Sequence, residues 1–263
     1  MKVTVLGCGS SGGVPRIGNV WGACDPAEPK NRRRRCSILV EKTSANGVTR
    51  ILVDTSPDLR MQLLDAGISA LDAVVFTHEH ADHTHGIDEL RALALLGRAR
   101  VKVWADQRTG EMLLGRFGYC FYTPPNSDYP PILDLNRLEA YEPVTITGAG
   151  GPVTLLPFEL DHGNIQALGL RIGSFAYTPD LNGIPERSVA ALTGLDLWLI
   201  DALRPTKHPS HFSLAEALEA VQRLGAKRAV LTNMHIDLDY ATLQRTLPAN
   251  VEPAYDGMEL AIG

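Results

Sequence analysis

The segment FTHEHADHTHGID, residues 76–88, holds four of the chain's eight histidines together with two aspartates. Within it His78, His80, Asp82 and His83 spell H-x-H-x-D-H. Neutral imidazole and carboxylate are ligands for zinc and related divalent cations. The pattern follows the apolar run AVVFT directly, on a loop leaving a strand end, where functional groups concentrate. The alternating spacing aims His78 and His80 the same way. Asp82 and His83 continue round the turn to a second position. Four donors from so short a segment suit two adjacent metals better than one, and a merely solvated loop needs no such density. His85, one step beyond, reads as a helix start or a supporting contact rather than a ligand.

A two-metal site needs further donors from elsewhere. His162 follows VTLLPFELD, Asp180 follows SFAYTP, and His235 follows RAVLTNM. Each is weak alone, because a lone histidine is more often packed or solvated than ligating. All three lie just beyond apolar runs, as the first cluster does, and together they form a coherent donor set. Asp54, in VDTSPD, fits two roles: accepting the N–H of a ligand histidine, or capping a helix after Pro57.

The elements that must carry these groups are mostly strands. Val/Ile/Leu-rich runs bounded by Gly, Pro or Asp occur at 2–7, 36–41, 50–55, 73–77, 101–105 and 153–160. Others follow at 167–172, 174–178, 197–201, 228–232 and 258–262. Helical spacing joins Leu59, Leu63 and Leu64; Ile87, Leu90, Ala94 and Leu95; and Leu214, Ala217, Leu218, Val221 and Leu224. Ser213 and Glu216 form a capping box that opens the last helix. Segment 119–136, with its aromatics and four prolines, reads as a long irregular loop. The pattern is α/β (α+β): sheets covered by helices, in one domain over 1–263.

At 263 residues, with 44% apolar and 21% charged residues, the chain can bury a full core. The first residues lack a signal-peptide apolar region, and no apolar run is long enough to span a bilayer. Membrane partners are therefore not expected, and the cytoplasm is the expected compartment. Cys8, Cys24, Cys36 and Cys120 are widely spaced and read as free thiols. A net charge of −5 gives no general attraction to nucleic acid, so any phosphate binding has to be local.

In the order HEHADH, ELDH, YTPD, LTNMH the chain resembles the metallo-β-lactamase-fold hydrolases along nearly its whole length. The resemblance implies a four-layer αββα sandwich with a binuclear site between the edges of two central sheets. It implies that His78, His80 and His162 bind one metal, that Asp82, His83 and His235 bind the other, and that Asp180 bridges both. Two divalent ions, zinc or manganese, are the implied cofactors.

The N-terminal GCGSSGGVPRIG has G-x-G-x-x-G spacing at Gly7, Gly9 and Gly12, but no helix follows as a dinucleotide site requires. It reads either as a plain turn or as a loop whose backbone N–H groups face a phosphate beside Ser10 and Ser11. The arginine run 32–35 is either a nucleic-acid patch or a solvated turn. It leads into a strand, so at least one arginine, Arg35 being the candidate, points to the sheet edge.

Glycine loop, arginine run and the closing DGMEL are together similar to the PhnP-type phosphodiesterases, which act on a phosphoribosyl cyclic phosphate. That resemblance places His211 as general acid, and Asp201 where the fold usually sets a polar partner of the site; Asp82 or a metal-bound water is the alternative donor. It also carries a departure: Cys24 stands without further cysteines and Leu238 replaces a histidine, so no separate structural zinc is expected. The implied substrate is a small phosphodiester or nucleotide-like molecule. A ribonuclease Z-like activity is the rival, but the long basic arm of that group is missing. A thioesterase lacks its sequence context at His162, and a non-catalytic metal-binding regulator would not need every ligand. The 119–136 loop could stack on a base or ribose, or form a homodimer contact.

Overall fold

The computed structural model describes all 263 residues. Strands β1 (Lys2–Gly7), β2 (Ser37–Ser44), β3 (Gly47–Val53), β4 (Ala73–Val75), β5 (Val101–Ala105) and β6 (Leu133–Arg137) build the first sheet. The second contains β7 (Val144–Gly148), β8 (Gly151–His162), β9 (Ile165–Ile172) and β10 (Phe175–Thr178). It continues through β11 (Leu197–Asp201), β12 (Arg228–Thr232) and β13 (Val251–Pro253), while β14 (Met258–Ala261) returns to the first sheet beside β1. Six α-helices accompany them: α1 (Leu59–Asp65), α2 (Ala81–Thr84), α3 (Leu90–Gly97), α4 (Gln107–Phe121), α5 (Leu214–Leu224) and α6 (Tyr240–Thr246).

The apolar runs are continuous because both faces of each sheet are covered. In the first sheet Val3, Val5, Ile38, Val40, Ile51 and Val53 enter the core between the sheets. Their neighbours Leu39 and Leu52 point the other way, into a second core with Leu59 and Leu63 of α1, Leu90 and Leu93 of α3, and Leu113 of α4. The period-two alternation of a strand thus divides each run between two cores. On the far side Ala217, Ala220 and Val221 of α5 and Leu243 of α6 join the core of the second sheet. Helices, sheet, sheet, helices: this is the four-layer αββα sandwich that the motif order implies.

Eleven strands are legible in the sequence and fourteen are present; β6, β7 and β13 are the additions. The reading of 119–136 as one irregular loop needs correction. α4 runs on to Phe121 and β6 begins at Leu133, leaving only 122–132 irregular. The capping box at Ser213 is formed, with the serine side chain and Glu216 each bonding the other's backbone. Asp106 and Asp239 cap α4 and α6 by accepting from the N–H groups of Thr109 and Thr242, each at 2.8 Å. No helix is long and apolar enough to cross a membrane.

Candidate metal centre

Parallel pairing gathers the donor groups. β3 and β4 run parallel with Val53 opposite Val75, so Asp54 and the loop carrying His78 leave the first sheet side by side. In the second sheet β10, β11 and β12 are parallel, with Thr178 opposite Ile200 and Asp201 opposite Thr232. Asp180, Asp201 and the Asn233–His235 turn therefore emerge at one edge, the carboxyl ends where open parallel sheets place their ligands. His162 comes from the β8–β9 hairpin, where it pairs with Ile165. Asp54 and Asn233 both adopt left-handed backbone, φ 63° and 58°. For non-glycine residues this conformation is uncommon, and it concentrates at functional sites.

His78, His80, His162 and Asp180 each offer a ligand atom, and these four atoms all lie within 4.8 Å of one another. The carboxylate of Asp180 divides the site. Its Oδ2 faces His78 Nε2 at 3.8 Å and His162 Nε2 at 3.5 Å. Its Oδ1 faces His83 Nε2 at 3.2 Å, and that nitrogen lies 3.6 Å from Asp82 Oδ2. His78 and His162 thus face one oxygen of Asp180, while His83, beside Asp82, faces the other. His235 lines the same cavity but stands outside the tight cluster: its Nδ1 meets Asp237 Oδ2 at 2.7 Å and its Nε2 meets the Arg16 guanidinium.

The donor chemistry fits a divalent metal. His83 Nδ1 donates to Asp54 Oδ2 at 2.8 Å, while Asp54 also accepts from the N–H and hydroxyl of Thr77. His162 Nδ1 donates to the Ser210 carbonyl at 2.6 Å. Each of these bonds fixes a tautomer and turns a bare Nε2 lone pair inward, as outer partners of metal-binding histidines do. His78 Nε2 and His83 Nε2 are buried without any hydrogen bond. A buried nitrogen facing a carboxylate oxygen is satisfied either by its own proton, as in the charged form of His83, or by a metal cation in the proton's place. Burial, reinforced by the charge of His83, holds His78 well below the usual imidazole range, and burial lowers His162 too. For His83 burial acts in the same direction, but Asp180, Asp54 and Asp82 outweigh it and raise the ring. Burial alone would raise Asp180; the His83 charge prevails and keeps it ionised.

His211 stands beside this cluster. Its Nδ1 is 3.0 Å from Asp201 Oδ2 and 3.8 Å from Asp180 Oδ2. Burial would lower the ring, but the Asp201 carboxylate more than compensates and pushes it up to about 9. Asn233 donates to Asp180 Oδ1 at 3.3 Å from the same wall.

Ser10 and Ser11 line the cavity, which encloses about 280 Å³. Arg35 does not: its Nε pairs with Asp58 Oδ2 at 2.9 Å, away from the cavity wall. His85 caps the C-terminus of α2 and packs its ring on Phe117. Two arginines that the sequence reading passed over, Arg16 and Arg204, line the cavity as well; isolated arginines in loops leave no pattern to detect.

Cys24 is buried with its thiol 3.5 Å from the Leu238 carbonyl, and its neighbour is the buried guanidinium of Arg33. Arg33 donates to the carbonyls of His235 at 3.3 Å and Leu238 at 2.7 Å, and to Asn31 Oδ1 at 3.3 Å. This guanidinium pins the turn that carries His235. Truncation to Arg33→Met leaves those acceptors buried and unpaired, and is expected to cost about 2–4 kcal/mol of folding stability. Urea unfolding checks it; a loss under about 0.5 kcal/mol, the range of an ordinary surface substitution, would contradict the pinning role.

Comparison with known proteins agrees with this geometry. Residues 49–236 match the beta-lactamase superfamily domain. A solved diphosphatase of the PhnP family superposes with a TM-score of 0.86 at 35% identity, covering 100% of this chain and 98% of that one. The octanoyltransferase of Porphyromonas gingivalis is 33% identical over 267 residues; the match covers 100% of this chain and 52% of that protein, so the chain spans about half its length. Coenzyme PQQ synthesis protein B of Pseudomonas fluorescens is 25% identical over 318 residues, with both chains fully covered.

Proposed function

We infer, for a chain that belongs to the beta-lactamase superfamily and within it to the PhnP family, a hydrolase of small phosphoric diesters and diphosphates that uses two divalent metals, zinc or manganese. The observation that carries this reading is Asp180, whose two oxygens face two separate sets of donors while His211 stands at the same carboxylate.

His78, His80 and His162 would hold one metal, Asp82, His83 and His235 the other, with Asp180 shared. When bound, such a pair supplies positive charge against the phosphoryl oxygens and lowers the pKa of water. The remaining work falls to the chain. Asp54 and the Ser210 carbonyl hold the His83 and His162 rings in the tautomer that keeps Nε2 free. Asp201 holds Nδ1 of His211, which leaves Nε2 as the nitrogen able to pass a proton to a leaving oxygen. Cavity size favours a small substrate: about 280 Å³ accommodates a nucleotide-sized fragment rather than a folded RNA. A ribonuclease Z-like activity fits this cavity less well, and a purely regulatory metal protein has no use for the His211–Asp201 pair.

The test is a screen of metal-loaded protein. It should include cyclic ribose phosphates, 2′,3′- and 3′,5′-cyclic nucleotides, bis(p-nitrophenyl) phosphate, ADP and precursor tRNA, with a thioester as control. Hydrolysis of at least one small phosphate substrate is expected, with the thioester untouched. Activity confined to precursor tRNA or to the thioester would overturn the reading.

A further inference from the structure

We propose that the cavity walled by Lys30 and Arg32 is a second, non-catalytic binding site, which takes a phosphate group, free or borne by a small molecule.

This cavity encloses about 610 Å³, more than twice the volume at the metal centre, and the two share no residue. One of its walls is the segment that holds the arginine run. The backbone is extended from Arg32 (φ −78°, ψ 109°), so successive side chains turn to opposite sides. Arg32 and Arg34 face the cavity, and Lys30 joins them from the short 3-10 turn Pro29–Asn31. Arg33 points away, to the carbonyls of His235 and Leu238, and Arg35 pairs with Asp58. Every second residue of the segment thus serves the cavity.

Charge pairing on the walls leaves a positive surplus. Asp65 matches Arg34 at 2.6 Å, and Lys2 draws Glu259 to itself at 2.7 Å. Asp256 accepts from the backbone N–H groups of Cys8 at 3.2 Å and Arg34 at 2.8 Å. Burial pushes its carboxyl up to about 7, so it opposes the remaining cations only in part. Those cations are Lys30 and Arg32, which rest on aromatic rings instead of carboxylates. Lys30 Nζ lies 4.3 Å from the centre of the Tyr255 ring and 4.6 Å from that of Tyr240, whose hydroxyl accepts its N–H at 3.0 Å. The Arg32 guanidinium lies over the Trp21 ring at 5.2 Å.

An aromatic face holds a cation in place without neutralising it. The ammonium keeps donors beyond the one spent on Tyr240, and the guanidinium keeps its fork. A point charge beside a planar fork suits a phosphate dianion, whose oxygens can answer both. A singly charged carboxylate would leave one cation unmatched. The remaining room accommodates a small molecule that carries the phosphate. Nothing in this arrangement involves the metal ligands, so the inference stands apart from the hydrolase reading.

The test is calorimetry of metal-loaded wild type, Lys30→Gln, Arg32→Gln and Arg32→Lys. The probes are AMP, ribose 5-phosphate and orthophosphate, with adenosine as the neutral control. Wild type is expected to bind at least one phosphate probe here, and each glutamine variant to weaken that event by ~10-fold or more. Arg32→Lys should retain most of it. Turnover of bis(p-nitrophenyl) phosphate should match wild type in all three variants, which separates this site from the metal centre. The tightest probe identifies the source: orthophosphate a free anion, AMP or ribose 5-phosphate an ester. A wild type that binds no phosphate probe, or binding that survives unchanged in both glutamine variants, overturns the site. Adenosine bound as tightly as AMP overturns it too, because the phosphate would then contribute nothing. Should the chain hydrolyse no ester, the binding comparison decides alone.

Discussion

Asp180→Ala is expected to lower turnover by ~10²–10⁴-fold and to reduce bound metal well below that of the wild type, because it removes the one side chain that faces both donor sets. The estimate follows from losing several kcal/mol of charge stabilisation at the phosphoryl group, at a factor of ten per 1.4 kcal/mol. No other member of the set has this position. His78 and His162 face Oδ2, whereas His83 faces Oδ1. His235→Ala should therefore deplete one half of the site and leave His78, His80, His162 and Asp180 as a complete cluster. Elemental analysis of the two variants after equal metal loading separates the cases. If Asp180→Ala retained the wild-type metal content, the shared-carboxylate geometry would be wrong. Equal depletion in both variants would mean instead that the halves fill only together.

Much of this site is legible in the sequence because the fold places donors directly after strands. A reader needs only the apolar runs and the polar residue that ends each to find His78, His162, Asp180 and His235. The Asp54 alternatives resolve through topology: parallel pairing of β3 and β4 brings its carboxylate to His83, and the helix after Pro57 receives no side-chain cap from Asp58. What stayed hidden depends on packing between distant segments. The run Arg32–Arg35 is a single feature on paper, yet its members part company in space. Arg32 lies over the Trp21 ring, Arg33 is buried on carbonyls, Arg34 pairs with Asp65 and Arg35 with Asp58. Successive side chains of an extended segment point to opposite sides, so one composition serves four environments. α4 is hidden for another reason: Gly110, Gly115 and Gly118 weaken its helical signal, and its backbone is kinked at Phe117. The short β13 ends in Pro253, which an edge strand tolerates and a sequence scan rejects.

His211→Ala should reduce turnover on alkyl phosphate esters by ~10²–10⁴-fold, the range for removing a general acid, with metal content close to that of the wild type. The geometry separates it from the ligands: its Nδ1 is taken by Asp201, and its distance to Asp180 is the longer one. A pKa pushed up to about 9 keeps the ring protonated across neutral pH, as a proton donor requires. The demand for that proton depends on the leaving group. An alkoxide cannot depart without one, whereas p-nitrophenolate largely can, so the loss should shrink on bis(p-nitrophenyl) phosphate. A structural role would look different. His211 precedes the N-cap Ser213 by two residues, and the cap bonds themselves belong to Ser213 and Glu216. If the histidine only braced that helix start, its removal would cost roughly 0.5–2 kcal/mol of stability and spare activity on every ester. Equal losses on alkyl and p-nitrophenyl esters would instead mark His211 as a positioning group. Proton delivery would then pass to Asp82, whose carboxylate lines the same cavity.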